Sequence, residues 1–298
     1  NPETSRLLGT APVGRLLLKL ALPAVVAQLV NLLYNIVDRI YIGHMPQVGR
    51  VALTGVGLCF PVICLITAFT MLVAQGGAPR AAIAMGEGEN RRAETIMGSC
   101  FTCLVITAAA LTALFWIFGE RLLWIFGCSE KTIQYALPYM RIYSSGSLFV
   151  MMALGMNLFI TTQGFASVSM VTVLIGAVSN IVLDPIFIYG LGMGVRGAAL
   201  ATVLSQAISG VWVVAFLARK RTTLRLRWRN MRPRWEVMGP VLALGISPFI
   251  MQGTEALLNI CFNSSLQRYG GDIAVGAMTV ASTVLQMVWI PTQGLGQG

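Results

Sequence analysis

Charge is what this sequence has least of. Only 11% of its 298 residues are Asp, Glu, Lys or Arg, against about 25% in an ordinary soluble domain. So few charges cannot cover a globule of this length with polar surface, and a water-soluble fold is excluded. Histidine is nearly missing as well. The single one, His44, lies at the end of an apolar block with no matching cluster, so neither a histidine-based hydrolase nor a His-ligated metal centre has its parts. The six cysteines are Cys59, Cys64, Cys100, Cys103, Cys128 and Cys261. Five of them sit inside apolar blocks, where a thiol acts as a small hydrophobe. Cys100 and Cys103 form a C-x-x-C without a second pair or a nearby histidine, which argues against metal. The net charge of +10 does not point to nucleic acid, because the basic residues fall between apolar blocks rather than along one face.

What is present is apolar sequence, 56% of the chain, in long runs. Runs of about twenty residues match the bilayer core. In lipid, each backbone N–H and C=O must find a partner within its own segment or in a closed barrel. The runs lack the two-residue alternation of a barrel strand, so helices are predicted. Eight spans are expected, over 16–42, 51–76, 95–118, 133–155, 167–190, 197–218, 237–264 and 273–295. The segment 119–132 holds Leu122, Leu123, Trp124, Ile125 and Phe126, too few apolar residues to span, and reads as interfacial. Fourteen Lys and Arg then fall on the side of the N-terminal tail and of the 77–94 and 219–236 loops, against seven on the other. The positive-inside rule makes the first side cytoplasmic. The run Arg219 to Arg234 reads as a topology signal and linker that could also meet anionic lipid.

The chain starts over near residue 237. Residues 20–38 lie on residues 245–263, with Pro23 on Pro248, Leu32 and Leu33 on Leu257 and Leu258, and Asp38 on Asn263. After a short shift Ala52 meets Ala274, and Gln75-Gly76 meets Gln297-Gly298. A repeat of six spans, an even number, predicts parallel lobes related by an axis along the membrane normal. The expected organisation is a cytoplasmic tail over 1–13, a six-helix lobe over 14–218 and a basic cytoplasmic linker over 219–236. The start of a second lobe, with about four helices to come, follows over 237–298.

Ionisable groups inside a bilayer are functional candidates. Asp38, Asp184 and Glu255 qualify, and no lysine or arginine is clearly central enough to neutralise them; Arg39 and Arg141 lie nearer span ends and could snorkel. On the first helix Gln28, Asn31, Asn35 and Asp38 share a face, with Tyr34 one turn before Asp38. On the fifth, Asn180 and Asp184 share a face and Pro185 frees a backbone carbonyl. Asn157 and Thr202 add oxygen on the fourth and sixth helices. Burial and a second carboxylate both favour protonation of a carboxyl, and carboxylates with amide and hydroxyl oxygens also suit Na⁺. Singly, Asn31, Asn35 and Thr202 read as interhelical glue. A carboxylate is a costly group to bury for that purpose alone. Pro23 and Pro248 predict a bend in equivalent helices, as a fixed kink or a hinge.

The first-helix run LPAVVAQLVNLLYNIVDRIYIG, the Asn180-x-x-x-Asp184-Pro185 pattern, the mid-helix Glu255 and the ending PTQGLGQG together resemble the multidrug and toxic compound extrusion (MATE) family over essentially the whole chain. The resemblance implies twelve helices in two lobes, a central cavity, and a monomeric multi-pass protein of a bacterial inner membrane among membrane lipids. It further implies export of cationic or amphiphilic drugs and toxins, driven by H⁺ or Na⁺, with no other cofactor. By motif, Asp38, Asn180, Asp184 and Thr202 would form a first-lobe cation site, with Tyr34 and Asn157 close by. Pro23 would be the bend, and Glu255 the second-lobe acid. A lipid-linked precursor flippase of similar architecture would want a buried arginine cluster that the spans do not show. A membrane-embedded enzyme would want a nucleophile and base, or metal ligands.

Overall fold

The computed structural model describes residues 13–46, 48–219, 222–226, 230–231 and 234–297, with side chains described over these except 13–21, 24 and 286–297. Among the described residues regular structure is helical throughout. Helix α1 is Val13–Gly43. Helix α2 is Gly49–Gly86, with a changeover at Cys59 between Gly49–Leu58 and Phe60–Gly86. Helix α3 is Asn90–Ile125. Helix α4 has two arms, Glu130–Ser145 and Ser147–Thr162, bent by 57°. Helices α5 and α6 are Ala166–Gly190 and Val195–Ala218. The last helical run, Trp235–Gln297, is broken at Gly271 by φ 63° and ψ −166°. Only glycine adopts that conformation readily, so the run is two helices, α7 before Gly271 and α8 after it. The chain is an all-α, multi-pass membrane protein.

The segment 119–132 departs from the expected interfacial stretch. Leu122 to Ile125 continue α3 without a break, because no helix-breaking residue stands before Gly127, whose φ is 95°. Helix α4 then opens on a reciprocal cap. The Thr132 N–H donates to Ser129 Oγ at 3.3 Å, and the Ser129 N–H donates to Thr132 Oγ1 at 2.8 Å. Helix α2 likewise runs past the expected end near 76 to Gly86. Two departures from α-geometry carry no strong sequence signal: π-turns over Met152–Met156 in α4 and Ile186–Gly190 directly after Pro185 in α5.

Helix α1 packs along α5 and α5 along α6, while α2 packs along α7. The α5–α6 contact is a seam of small residues, with a hydrogen bond from Ser209 Oγ to the Thr172 carbonyl at 3.2 Å. At the α2–α7 contact the backbones touch: a Cβ on Gly76 would run into the Val241 carbonyl, and one on Gly245 into that of Leu72. Farther along, Gly57 lies against Thr279, and a Cβ on Gly276 would come within 2.7 Å of Thr54 Oγ1. The described part of the basic linker is anchored. The Leu224 N–H donates to Gln163 Oε1 at 2.9 Å and the Arg225 N–H to Glu94 Oε1 at 3.2 Å. The Leu224 side chain is buried. The expected tail over 1–13 lies outside the described residues except for Val13.

Candidate cation-binding site

The α1–α5–α6 wedge holds the polar residues singled out above. Pro185 has no N–H to offer the preceding turn, and the π-turn Ile186–Gly190 follows it. Asp184, one residue earlier, is fully buried. Its Oδ1 accepts from Asn180 Nδ2 at 3.4 Å, the one-turn contact their spacing predicts. The same Nδ2 also reaches Thr202 Oγ1 on α6 at 3.4 Å, and the Thr202 hydroxyl donates to the Ala198 carbonyl at 3.0 Å. Asn180 and Thr202 are both buried.

Helix α1 brings Asp38 to this group. Asp38 is half-buried, and Asp38 and Asp184 are electrostatic neighbours. Tyr34, a turn earlier, neighbours both carboxylates. The gap between α1 and α5 is bridged beyond the acids by Tyr189, whose hydroxyl donates to the Tyr41 carbonyl at 2.7 Å while the two rings pack edge to face. Three oxygens of the wedge have no hydrogen-bond partner although they are buried: Asp38 Oδ1, Asn180 Oδ1 and Asp184 Oδ2. An unpaired buried acceptor is costly. Three facing one wedge, two of them on carboxylates, match what a proton or a hard cation would satisfy.

Asn157 stands apart from this group. Its Nδ2 donates to the Ser169 carbonyl on α5 at 3.4 Å. Ser169 lies eleven residues before Asn180, about 16 Å along the helix at 1.5 Å per residue. The π-turn just before Asn157 and the sharp bend of α4 set its height, and sequence spacing carried neither. Its own Oδ1 is also buried without a partner. Asn35 donates to the Asn31 carbonyl at 2.8 Å, a bond within α1. Glu255 is exposed on α7. Pro23 and Pro248 both lie inside continuous helical runs, in which only Gly271 of α7–α8 leaves helical geometry.

Arg39 was expected to snorkel from a span end. It reaches instead across to α8, where its Nη1 donates to the Thr279 carbonyl at 3.1 Å and to Thr283 Oγ1. A partly buried guanidinium takes the acceptors within reach, and the sequence alone could not bring α8 beside α1. In the α3–α4 loop, burial pushes the Cys128 thiol up to about 12, so it stays protonated.

The MatE family model matches residues 23–186. The chain is similar to the multidrug export protein MepA of Staphylococcus haemolyticus (strain JCSC1435), at 24% identity over 96% of this chain and 63% of the relative. MepA of Staphylococcus aureus (strain MRSA252) is 21% identical over 97% of this chain and 63% of the relative. The MATE multidrug transporter DinF-BH, solved in complex with R6G, superposes with a TM-score of 0.91 at 32% identity, over 97% of this chain and 64% of that one. An inward-facing multidrug resistance MATE family transporter gives a TM-score of 0.82 at 26% identity, over 88% and 59% of the two chains. The chain thus spans a little under two thirds of the length of these relatives.

Proposed function

The chain belongs to the MatE family, and from that premise we propose that it works within a cation-coupled antiporter that exports cationic or amphiphilic drugs across a bacterial cell membrane. The observation that carries the coupling is the trio of unpaired buried oxygens, Asp38 Oδ1, Asn180 Oδ1 and Asp184 Oδ2, between α1, α5 and α6. An incoming H⁺ or Na⁺ satisfies them and draws α1 towards α5. Drug bound from the cytoplasmic side or the inner leaflet favours the arrangement in which the cation leaves, by reciprocal linkage. Export of drugs is supported by the relatives, which are named multidrug export proteins and multidrug transporters.

The first six helices form one lobe of this transporter and α7–α8 open the second, with the basic linker between them on the cytoplasmic side. The offset that lays Ala52 on Ala274 also lays Thr54 on Gly276 and Gly57 on Thr279. Those are the pairs in contact between α2 and α8. Equivalent residues meet in this way at a two-fold axis, which supports parallel lobes.

The reading is tested with the full-length protein in sealed vesicles, by measuring uphill drug movement under an H⁺ gradient, a Na⁺ gradient, both, or neither. Transport that follows one cation and vanishes when its gradient is collapsed is expected. Transport indifferent to both gradients, and intact in Asp38→Asn, would overturn it.

A further inference from the structure

A cavity of about 490 Å³ opens on the flank of the first six helices, between α3, α4 and α6. Its size is that of a small-ligand site. Its walls are mostly apolar, with Trp116, Pro138, Ile142 and Leu200 among them. Two guanidiniums, Arg141 and Arg196, line it together, and no carboxylate does. Neither arginine is answered elsewhere: among the described residues, the only ion pairs are those of Arg92 with Glu87 and Glu89.

Arg141 is held in place. Its guanidinium lies 5.7 Å from the Trp116 ring centroid. The indole Nε1 donates to Ser145 Oγ at 3.0 Å, and the Ser145 hydroxyl donates to the Arg141 carbonyl at 2.7 Å. Arg196 fixes the depth. It is the second residue of α6, at the end opposite the one that leads into the basic linker. That end of a 24-residue membrane helix lies at the headgroup level. The cavity also reaches Gly146, where α4 bends.

We propose that this cavity seats the phosphate of an anionic phospholipid from the leaflet opposite the basic linker. Two guanidiniums grip a phosphate with paired charge-assisted hydrogen bonds, and an acyl chain lies along the Leu200 wall. The two positive charges repel a cationic drug, so the cavity is not a second doorway for the exported compounds. A lipid seated there wedges the bend of α4 and holds the angle between its arms. The inference stands apart from the coupling reading, because it uses none of the same residues.

The full-length protein, delipidated in detergent, is titrated with dioleoylphosphatidylglycerol or dioleoylphosphatidylcholine, and bound lipid is counted by native mass spectrometry. Retention of the glycerol lipid but not the choline lipid is expected. R141Q/R196Q should weaken that retention about thirtyfold, each arginine near a membrane surface accounting for roughly a fivefold share. R121Q removes an exposed cation outside the lining and should leave retention unchanged. If R141Q/R196Q does not fold, Leu200→Trp fills the cavity with both arginines intact and should still abolish retention. Equal retention of the two lipids, or wild-type retention in both R141Q/R196Q and Leu200→Trp, would overturn the proposal. So would a loss in R121Q as large as in R141Q/R196Q, or displacement of the lipid by millimolar inorganic phosphate.

Discussion

The α2–α7 seam and the α1–α5–α6 wedge use similar residues and end in opposite conditions. Along α2 the hydroxyls turn back on their own helix: Thr67 donates to the Ile63 carbonyl at 2.9 Å and Thr70 to that of Ile66 at 2.7 Å. With donors satisfied and glycines at the contact, the backbones close on one another at Val241 and Leu72. In the wedge, Asp38, Asn180 and Asp184 keep unpaired oxygens. The difference lies in the sign of the hydrogen bond. A helix interior has carbonyls with a spare lone pair, so a threonine can serve itself one turn back. It has no spare N–H beyond its first turn, so a carboxylate or amide oxygen cannot. Buried donors make glue, and buried acceptors make a vacancy for a cation.

Removing an acceptor's charge tests that contrast most severely. Asp38→Asn in the full-length protein should reduce uphill drug export to background, since an amide neither carries a proton nor balances Na⁺. Its membrane yield and unfolding temperature should match wild type, and export at the wild-type rate would dissolve the distinction. Gly76→Leu attacks the other seam. Forced against the Val241 backbone, it should cost about 3 kcal/mol and lower the melting temperature by several degrees in a thermal scan. Gly86→Leu, with open space around it, should leave the melt alone.

Much of this was legible in the sequence. Asn180 and Asp184 were placed on one face by spacing alone, and the approach of Asp38 was expected from the cost of burying acid without basic neighbours. Asn157 could not be placed, because its height depends on a π-turn and a 57° bend. Those arise from packing rather than from any local breaker pattern. Arg39 was misjudged for a related reason. Distance from a span end says where a side chain could escape to, and its acceptors on α8 come from a part of the chain more than two hundred residues away.

Arg39 therefore offers a sharper probe. It joins wedge and seam, since Asp38 precedes it and Thr279 packs on Gly57. Arg39→Gln should cost about 1 kcal/mol of stability, read by chemical unfolding in detergent, and Arg39→Lys should restore part of it. The smallest effect belongs to Thr202→Val. Its hydroxyl already donates to Ala198, so only a lone pair near Asn180 is lost. The concentration of coupling ion needed for half-maximal export should rise by about fivefold, with no change in the melt.

Helix α3 has 36 residues, which at 1.5 Å each makes a rod of about 54 Å. The hydrocarbon slab it crosses is only about 30 Å thick. Such a rod must tilt, stand proud of the slab, or both. Its Glu94 end is clasped by the basic linker, and its Trp116 region forms a wall of the lateral cavity. A stiff rod fastened at one end turns a change in bilayer thickness into sideways travel at the other. The thickness of the host membrane then becomes a mechanical input to this protein, felt first in the angle of α3 and next in the width of the cavity beside it.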